Sequence, residues 1–278
     1  MGEHPGLWQR VVEDPIPGRL AAPRRRGWTM VIDKGMSLAD TRGLTEVAGG
    51  YIDLWKLPFG TSGLYPERVL KAKVACLLQQ GIDVYPGGTF LEIALLQGHL
   101  ERFYEACREV GFTAVEVSDG TIPLAARERR LAISTAVDFG FVVFSEVGKK
   151  DPGEHIPALA LRRIMEADFE AGVRGIIVEG RESGQGVGIY DQSGSILEDE
   201  LTKIVNACPA PDRLIWEAPQ KTQQEELIVR FGPNVNLGNI PPGEILALEA
   251  LRRGLRADTL RHALPGAPEQ AAGKGTRG

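Results

Sequence analysis

The chain predicts a single (β/α)8 TIM barrel, and three observations carry that expectation. Short apolar runs alternate with helical stretches eight times. A strand followed by a helix returns to its sheet by a right-handed crossover, so successive strands lie parallel. Most of the runs close on a charged residue followed by Gly or Pro, as strand ends facing a polar mouth would. The length, 278 residues, suits one barrel, a fold that commonly runs to about 250 residues. An open doubly wound sheet is the alternative, but the G-x-G-x-x-G expected after its first strand is missing.

The elements follow in order. Trp28-Thr-Met-Val-Ile-Asp33 is the first strand, and Ser37 caps a helix to Val47 with Asp40 in its first turn. Tyr51–Lys56 is the second strand, and Pro66, suited to a first helical turn, opens a helix to Gln80. Ile82–Tyr85 is the third, followed by Pro86-Gly-Gly-Thr89 and a helical region over 90–110 broken near Gly98. Ala114–Ser118 is the fourth, with its helix over 124–138. The fifth, Phe141-Val-Val-Phe-Ser-Glu146, runs into a tight turn carrying Lys149 and Lys150, before a helix over 157–171. Gly175–Glu179 is the sixth, and a Gly-rich loop over 180–195 leads to a helix over 197–207. Arg213–Glu217 with a helix over 220–231, and Asn234–Gly238 with a helix over 242–253, complete the set.

Residues 1–26, rich in Pro and Arg, read as an arm on the outside of the barrel; residues 27–262 form the barrel, and 263–278 have the composition of a disordered tail. The arginine triplet Arg24–Arg26 reads as a solvated surface feature. A formal net charge of −5 argues against a nucleic-acid partner, which would require a basic face. A local cluster of Lys and Arg would still serve an anionic small substrate. No apolar run approaches the ~20 residues of a membrane span, and no secretory h-region is visible, so a cytoplasmic protein without a membrane partner is expected. Cys76, Cys107 and Cys208 are widely spaced and form no C-x-x-C, as reduced structural thiols would be.

Barrel active sites lie at the C-terminal ends of the strands. Side chains alternate faces along a strand, so Leu54 shares a face with Lys56, Phe144 with Glu146, Ile177 with Glu179 and Ile215 with Glu217. If those faces point inward, carboxylates and lysines converge at one mouth. Converging carboxylates need a cation between them, and an oxygen-only donor set favours Mg²⁺. The candidate ligands are Glu116, Glu146 and Glu179, with Asp33 and Glu217 behind them; Glu–Lys or Glu–Arg pairs are the alternative explanation. Lys34, Lys56, Lys149 and Lys150 would crowd the same mouth and attract an anion, one of them transferring a proton at carbon or, alternatively, forming a Schiff base. For a phosphate, Gly180, Arg181 and Ser183 in the Gly-rich loop, and Gly238 and Asn239 before the last helix, supply amides, a guanidinium and a hydroxyl.

Eight stretches carry a resemblance. They are Val31-Ile-Asp-Lys-Gly35; Tyr51-Ile-Asp-Leu-Trp-Lys56 with Gly60-Thr-Ser62; Val84-Tyr-Pro-Gly-Gly-Thr89; Glu116-Val-Ser-Asp-Gly120; Ser145-Glu-Val-Gly-Lys-Lys150; Glu179-Gly-Arg-Glu-Ser-Gly184; Trp216-Glu-Ala-Pro-Gln-Lys221; and Leu251-Arg-Arg-Gly-Leu-Arg256. In order and spacing, over roughly 27–260, they resemble the phosphosulfolactate synthase family of coenzyme M biosynthesis. The resemblance implies a (β/α)8 barrel and Mg²⁺-dependent addition of sulfite to phosphoenolpyruvate, giving (2R)-phospho-3-sulfolactate through an enolate-type intermediate. It implies that Lys150 donates the proton; beside it Lys149 is expected to supply field or an ion pair, and Lys34 is a further catalytic candidate. Lys56 or Lys34 would hold sulfite, and Arg181, Gly180, Ser183, Gly238 and Asn239 the phosphate. A homo-oligomer is expected. The family also resembles plant proteins of heat-stress tolerance, so a non-enzymatic stress-related barrel is the alternative. Two features depart from the family: Leu57-Pro-Phe-Gly60 stands where Phe-Gly-Trp-Gly is more usual, and the N-terminal arm is longer.

Overall fold

The structure, a computed structural model, describes residues 7–148 and 156–264. Its eight strands are β1 (Thr29–Ile32), β2 (Leu54–Leu57), β3 (Asp83–Pro86), β4 (Ala114–Val117), β5 (Val142–Val147), β6 (Gly175–Val178), β7 (Leu214–Glu217) and β8 (Asn236–Ile240). All pair in parallel, in the order β3-β2-β1-β8-β7-β6-β5-β4. Between β3 and β4 the ring is joined where the Thr113 N–H donates to the Val84 carbonyl at 3.2 Å. The expected TIM barrel is therefore the observed one.

Helices follow as α1 (Leu38–Ala48), α2 (Glu67–Leu78), α3 (Gly88–Leu96), α4 (Leu100–Val110), α5 (Ala126–Asp138), α6 (Ala158–Glu170), α7 (Glu198–Ala207), α8 (Lys221–Phe231), α9 (Ile245–Arg252) and α10 (Ala257–Ala263). Ser37 caps α1 as expected, its Oγ accepting from the Asp40 N–H at 3.1 Å. The break near Gly98 is real: Gly98 takes φ +70° between α3 and α4. The eighth unit holds a second helix, α10, that periodicity did not separate; it docks through Thr259, whose buried hydroxyl donates to the Leu251 carbonyl at 2.8 Å.

Strand alternation divides the core into two layers. Trp28, Met30, Leu54, Tyr85, Ala114, Phe144, Ile177 and Ile215 fill the barrel interior. Their neighbours, among them Val31, Trp55, Val84, Val115, Val143, Ile176, Trp216 and Leu237, face the surrounding helices. This parity fixes the direction of every charged strand end two residues on, since positions i and i+2 share a face.

Parity also corrects one expectation. Asp33 lies three residues after Met30, so it points away from the mouth. Both its oxygens are occupied there: Oδ1 accepts from the Gly35 and Met36 N–H groups at 2.9 and 2.7 Å, and Oδ2 accepts from Trp55 Nε1 at 2.9 Å. Lys73 pairs with it, both side chains fully buried. Burial pulls the Lys73 ammonium down, opposed by Asp33. Asp33 is thus a structural anchor outside the barrel, not a ligand in its mouth.

The arm closes the other end. Arg19 pairs with Glu249 at 3.1 Å, Arg24 with Asp53 at 3.0 Å, and Arg253 with Asp14 at 2.8 Å. Arg24 is buried, and its backbone carbonyl accepts from Trp28 Nε1 at 3.0 Å. The first arginine of the triplet is therefore a plug for the barrel floor rather than a solvated charge. The tail expected over 263–278 lies outside the described residues beyond Leu264.

Replacing Asp33 by Asn strands the buried Lys73 ammonium, and loss of one partner of a buried pair costs about 3–5 kcal/mol. Urea denaturation of Asp33→Asn is expected to show that loss, and a change under about 1 kcal/mol would contradict the anchoring role.

Candidate active site at the barrel mouth

The inward parity brings Lys56, Glu116, Glu146, Glu179 and Glu217 to one cavity of about 260 Å³ at the C-terminal ends of the strands. Ile32, Pro58, Phe59, Gly88, Thr89, Arg181, Glu182 and Asn239 complete its wall. The predicted convergence is thus observed for Glu116, Glu146, Glu179 and Lys56, with Glu217 joining them.

Lys56 stands at the centre. Its Nζ lies 2.9 Å from Glu116 Oε2, 3.2 Å from Glu217 Oε1 and 3.9 Å from Glu146 Oε2. Burial alone would favour the neutral amine, but Glu116, then Glu217 and Glu146, outweigh it and hold the Lys56 pKa well above its ordinary value. It is a fixed ammonium. Converging carboxylates need a cation between them, and Lys56, one of the two lysines expected to hold sulfite, meets part of that need.

Each carboxylate is also held by the fold. Glu116 Oε1 accepts from the Gly88 N–H at 2.9 Å, at the first turn of α3. Only glycine fits there, because a Cβ on Gly88 would lie 2.8 Å from that same oxygen and still nearer Ser118 Oγ. Glu217 Oε2 accepts from the Gly180 N–H at 3.0 Å, and the Tyr190 hydroxyl donates to the Glu217 carbonyl at 2.8 Å. Glu179 Oε1 accepts from the Arg181 N–H at 2.6 Å. Behind Glu146, Arg129 Nη2 donates to its carbonyl at 2.9 Å while Nη1 pairs with Asp119 at 3.1 Å and Nη2 with Asp168 at 2.7 Å. Tyr85 lies inside the barrel, its phenol pushed far up by burial and by Glu116.

Backbone strain concentrates here. Among the described residues, three besides glycine take positive φ: Phe59 (+56°), Arg181 (+57°) and Asn239 (+54°). All three line the cavity. Such conformations cost of order 1–3 kcal/mol and persist where surrounding structure over-determines them, as at active sites. Asn239 owes its place to an irregularity in β8. Thr29 pairs with Leu237 but Val31 with Ile240, so β8 carries one extra residue at this point. A bulge re-aims a side chain. Leu237 and Ile240 pack outward, while Asn239 reaches the mouth.

The remaining candidates fall differently. Lys34 is exposed at the rim and pairs with Glu182 at 3.0 Å. Ser183 is exposed, its carbonyl accepting from Gln220 Nε2 at 2.7 Å. The amide of Gly180 is spent on Glu217. Gly238 packs in the interior, where a Cβ would meet Met30. The Gly-rich loop folds on itself: the Gly186 N–H donates to the Asp191 carbonyl at 2.8 Å, and Gln223 Nε2 donates to the Gly184 and Gly194 carbonyls at 2.7 and 3.0 Å. Its glycines serve these turns. Lys149 and Lys150 lie outside the described residues.

Sequence reasoning missed the Arg129–Asp168 clamp, though a signal existed. Arg129 falls on the stripe of Ala132, Ile133 and Ala136 that α5 buries, and Asp168 on the stripe of Leu161 and Met165 in α6. Opposite charges on two buried helix faces announce a buried pair. The bulge at Asn239 left no comparable signal.

Comparison with known proteins adds to this geometry. The family described as (2R)-phospho-3-sulfolactate synthase (ComA) matches residues 17–258. Phosphosulfolactate synthase of Methanothermobacter thermautotrophicus is 46% identical over 246 residues, covering 88% of this chain and 95% of that protein. Protein HEAT-STRESS-ASSOCIATED 32 of Arabidopsis thaliana is 24% identical over 259 residues, covering 83% and 87%. Among solved structures, 3-hexulose-6-phosphate synthase of Salmonella typhimurium superposes with a TM-score of 0.52 at 14% identity, covering 84% of this chain and 99% of that one, a likeness of fold. With the matched segment spanning the whole barrel and every inward charge of its mouth, the chain belongs to the phosphosulfolactate synthase family.

Proposed function

We propose that the protein is a phosphosulfolactate synthase that adds sulfite to phosphoenolpyruvate with Mg²⁺. The observation that carries this reading is the inward ring of carboxylates about Lys56 in a chain far nearer to a synthase than to the plant stress protein.

The described wall of the cavity holds five carboxylates against Lys56 and Arg181. Two anionic substrates would be repelled by that balance, so further positive charge must enter with them. No group of three His, Cys, Asp or Glu among the described residues converges tightly enough to hold an ion by itself. Mg²⁺ does not need one: it takes one or two carboxylates, keeps waters and completes its shell with substrate oxygens. The donor set is oxygen only and fits. Lys56 lies nearest Glu116 and Glu217, at 2.9 and 3.2 Å, and farther from Glu146, at 3.9 Å, so Glu146, with Glu179 on the same wall, would hold the ion. When bound, it would stabilise the negative charge that develops on the substrate carboxylate.

The chain's own residues supply the rest. Arg181 takes the phosphate. Lys34, whose exposed pair with Glu182 is worth little, is available to sulfite at the rim. The sulfite sulfur forms a bond to the methylene carbon, and the double-bond pair moves toward C2 and its carboxylate. Lys150 then delivers a proton to C2 from one face and sets the configuration. Lys56 moves no proton; it fixes Glu116, Glu146 and Glu217 before substrate arrives, which is the preorganised charge on which such sites depend.

Phosphorus NMR of the protein with phosphoenolpyruvate, sulfite and Mg²⁺ is expected to show a new phosphate-ester resonance that requires sulfite; its absence with every divalent metal tried would overturn the assignment. Lys150→Ala is expected to bind phosphoenolpyruvate normally and to lose roughly 10²–10⁴-fold in turnover, the usual contribution of a general acid. Unchanged turnover would remove Lys150 from the mechanism. A raised lysine pKa keeps the charged form at all pH values below it, and a Schiff base requires the neutral amine. Borohydride reduction with pyruvate between about pH 7 and 9, below even the ordinary lysine pKa, is therefore expected to leave Lys56 unmodified on peptide mapping; a reduced adduct there would contradict the fixed ammonium.

A further inference from the structure

Asn239 carries an acceptor that neither the fold nor the phosphate explains. Its side chain is 98% buried, as its 2% exposure shows. Nδ2 donates to the Arg181 carbonyl at 3.3 Å. That bond sets the orientation of the amide, because the flipped form would set two carbonyl oxygens against each other. Oδ1 is thereby committed as an acceptor, and it is closed to solvent and without a hydrogen-bond partner. A buried amide oxygen left unpaired costs about 1–3 kcal/mol. The chain accepts this cost together with a left-handed backbone at Asn239 and a bulge in β8, both of which deliver this one side chain to the mouth.

The sequence offers the backbone amide of Asn239, not its side-chain oxygen, to a phosphate. An acceptor oxygen does not suit that role, since a phosphate dianion offers acceptors only. Ionised phosphoenolpyruvate and sulfite likewise offer no donor to satisfy Oδ1. The partner that suits a neutral, buried carbonyl oxygen in the cavity that Glu146 and Glu179 also line is a hard cation, for which carboxylates, carbonyls and water are the preferred ligands.

We infer that Asn239 Oδ1 is a ligand of the divalent cation at the mouth, sharing it with Glu146 and Glu179. This rests on the Mg²⁺-dependent reading above. The arrangement gives the bulge a purpose: a regular β8 would put only one of Gly238 and Asn239 on the inner face. The neutral amide also contributes an oxygen without adding a sixth carboxylate to an already acidic wall.

The test uses Mn²⁺ as the probe, titrated into the full-length protein with saturating phosphoenolpyruvate and followed by the loss of the free-ion EPR sextet. Asn239→Gly keeps the left-handed backbone, which glycine adopts at no steric cost, and removes only the amide. It is expected to weaken Mn²⁺ binding about 10–100-fold, the range seen when groups supporting a metal site are removed. Asn239→Asp retains an oxygen at the same place and is expected to bind at least as tightly as the native protein. Native-like affinity in Asn239→Gly, within threefold, would overturn the inference while leaving the Mg²⁺ reading intact, as would an Asn239→Asp protein as weak as the glycine variant. If the native protein itself binds no Mn²⁺, the Mg²⁺ reading fails and this inference with it.

Discussion

The Lys56 ammonium is the interaction on which the mouth depends. Carboxylates from β4, β5 and β7 approach one another with their side chains buried, where like charges repel more strongly than in water. They are held together by a single cation on β2 that lies within 4 Å of all three. The cost of burying that cation is met by the same contacts. Four strands are thereby tied at their C-terminal ends by charge as well as by the ladder of backbone bonds. The ring is at once a structural closure and a prepared electrostatic surface.

Around it the fold supplies supports that hold each acid by its second oxygen or by its own backbone. The start of α3 holds Glu116, the amide after β6 holds Glu217, and Arg129 grips the backbone of Glu146 from outside the barrel. Arg129 also ties α5 to α6 through Asp168 and reaches the loop after β4 through Asp119. Burial would depress its charge, but Asp168 more than compensates. At the opposite end, Arg19 and Arg24 of the arm do comparable work for the floor. The charge at the mouth is thus held by supports that lie outside it, in the clamps behind the barrel wall and at its floor.

The family places the chain nearer to enzymes than to the plant stress protein, and the retained site agrees with the enzymatic reading. A barrel kept only as a scaffold would have little reason to maintain three strained backbone positions, a buried acceptor without a partner and a concentration of acid at one mouth. No helix among the described residues is long and apolar enough to cross a membrane.

By itself the sequence determined the eightfold alternation and the parity of each strand, and hence that Lys56, Glu146, Glu179 and Glu217 share the faces of Leu54, Phe144, Ile177 and Ile215. These follow from local rules, since a strand repeats every two residues whatever surrounds it. It did not determine who pairs with whom. Lys56 and Glu217 are 161 residues apart, and their contact exists only because the sheet closes on itself. Asp33 reads locally as one more strand-end acid, and only its odd position after Met30, together with Lys73 waiting on α2, sends it outward. The role of the Gly-rich loop was also invisible locally, because a turn and an anion cradle demand the same residue. The placement of Asn239 was decided by tertiary structure alone: a one-residue slip between β8 and β1 has no signature in either strand, yet it chooses which side chain the mouth receives.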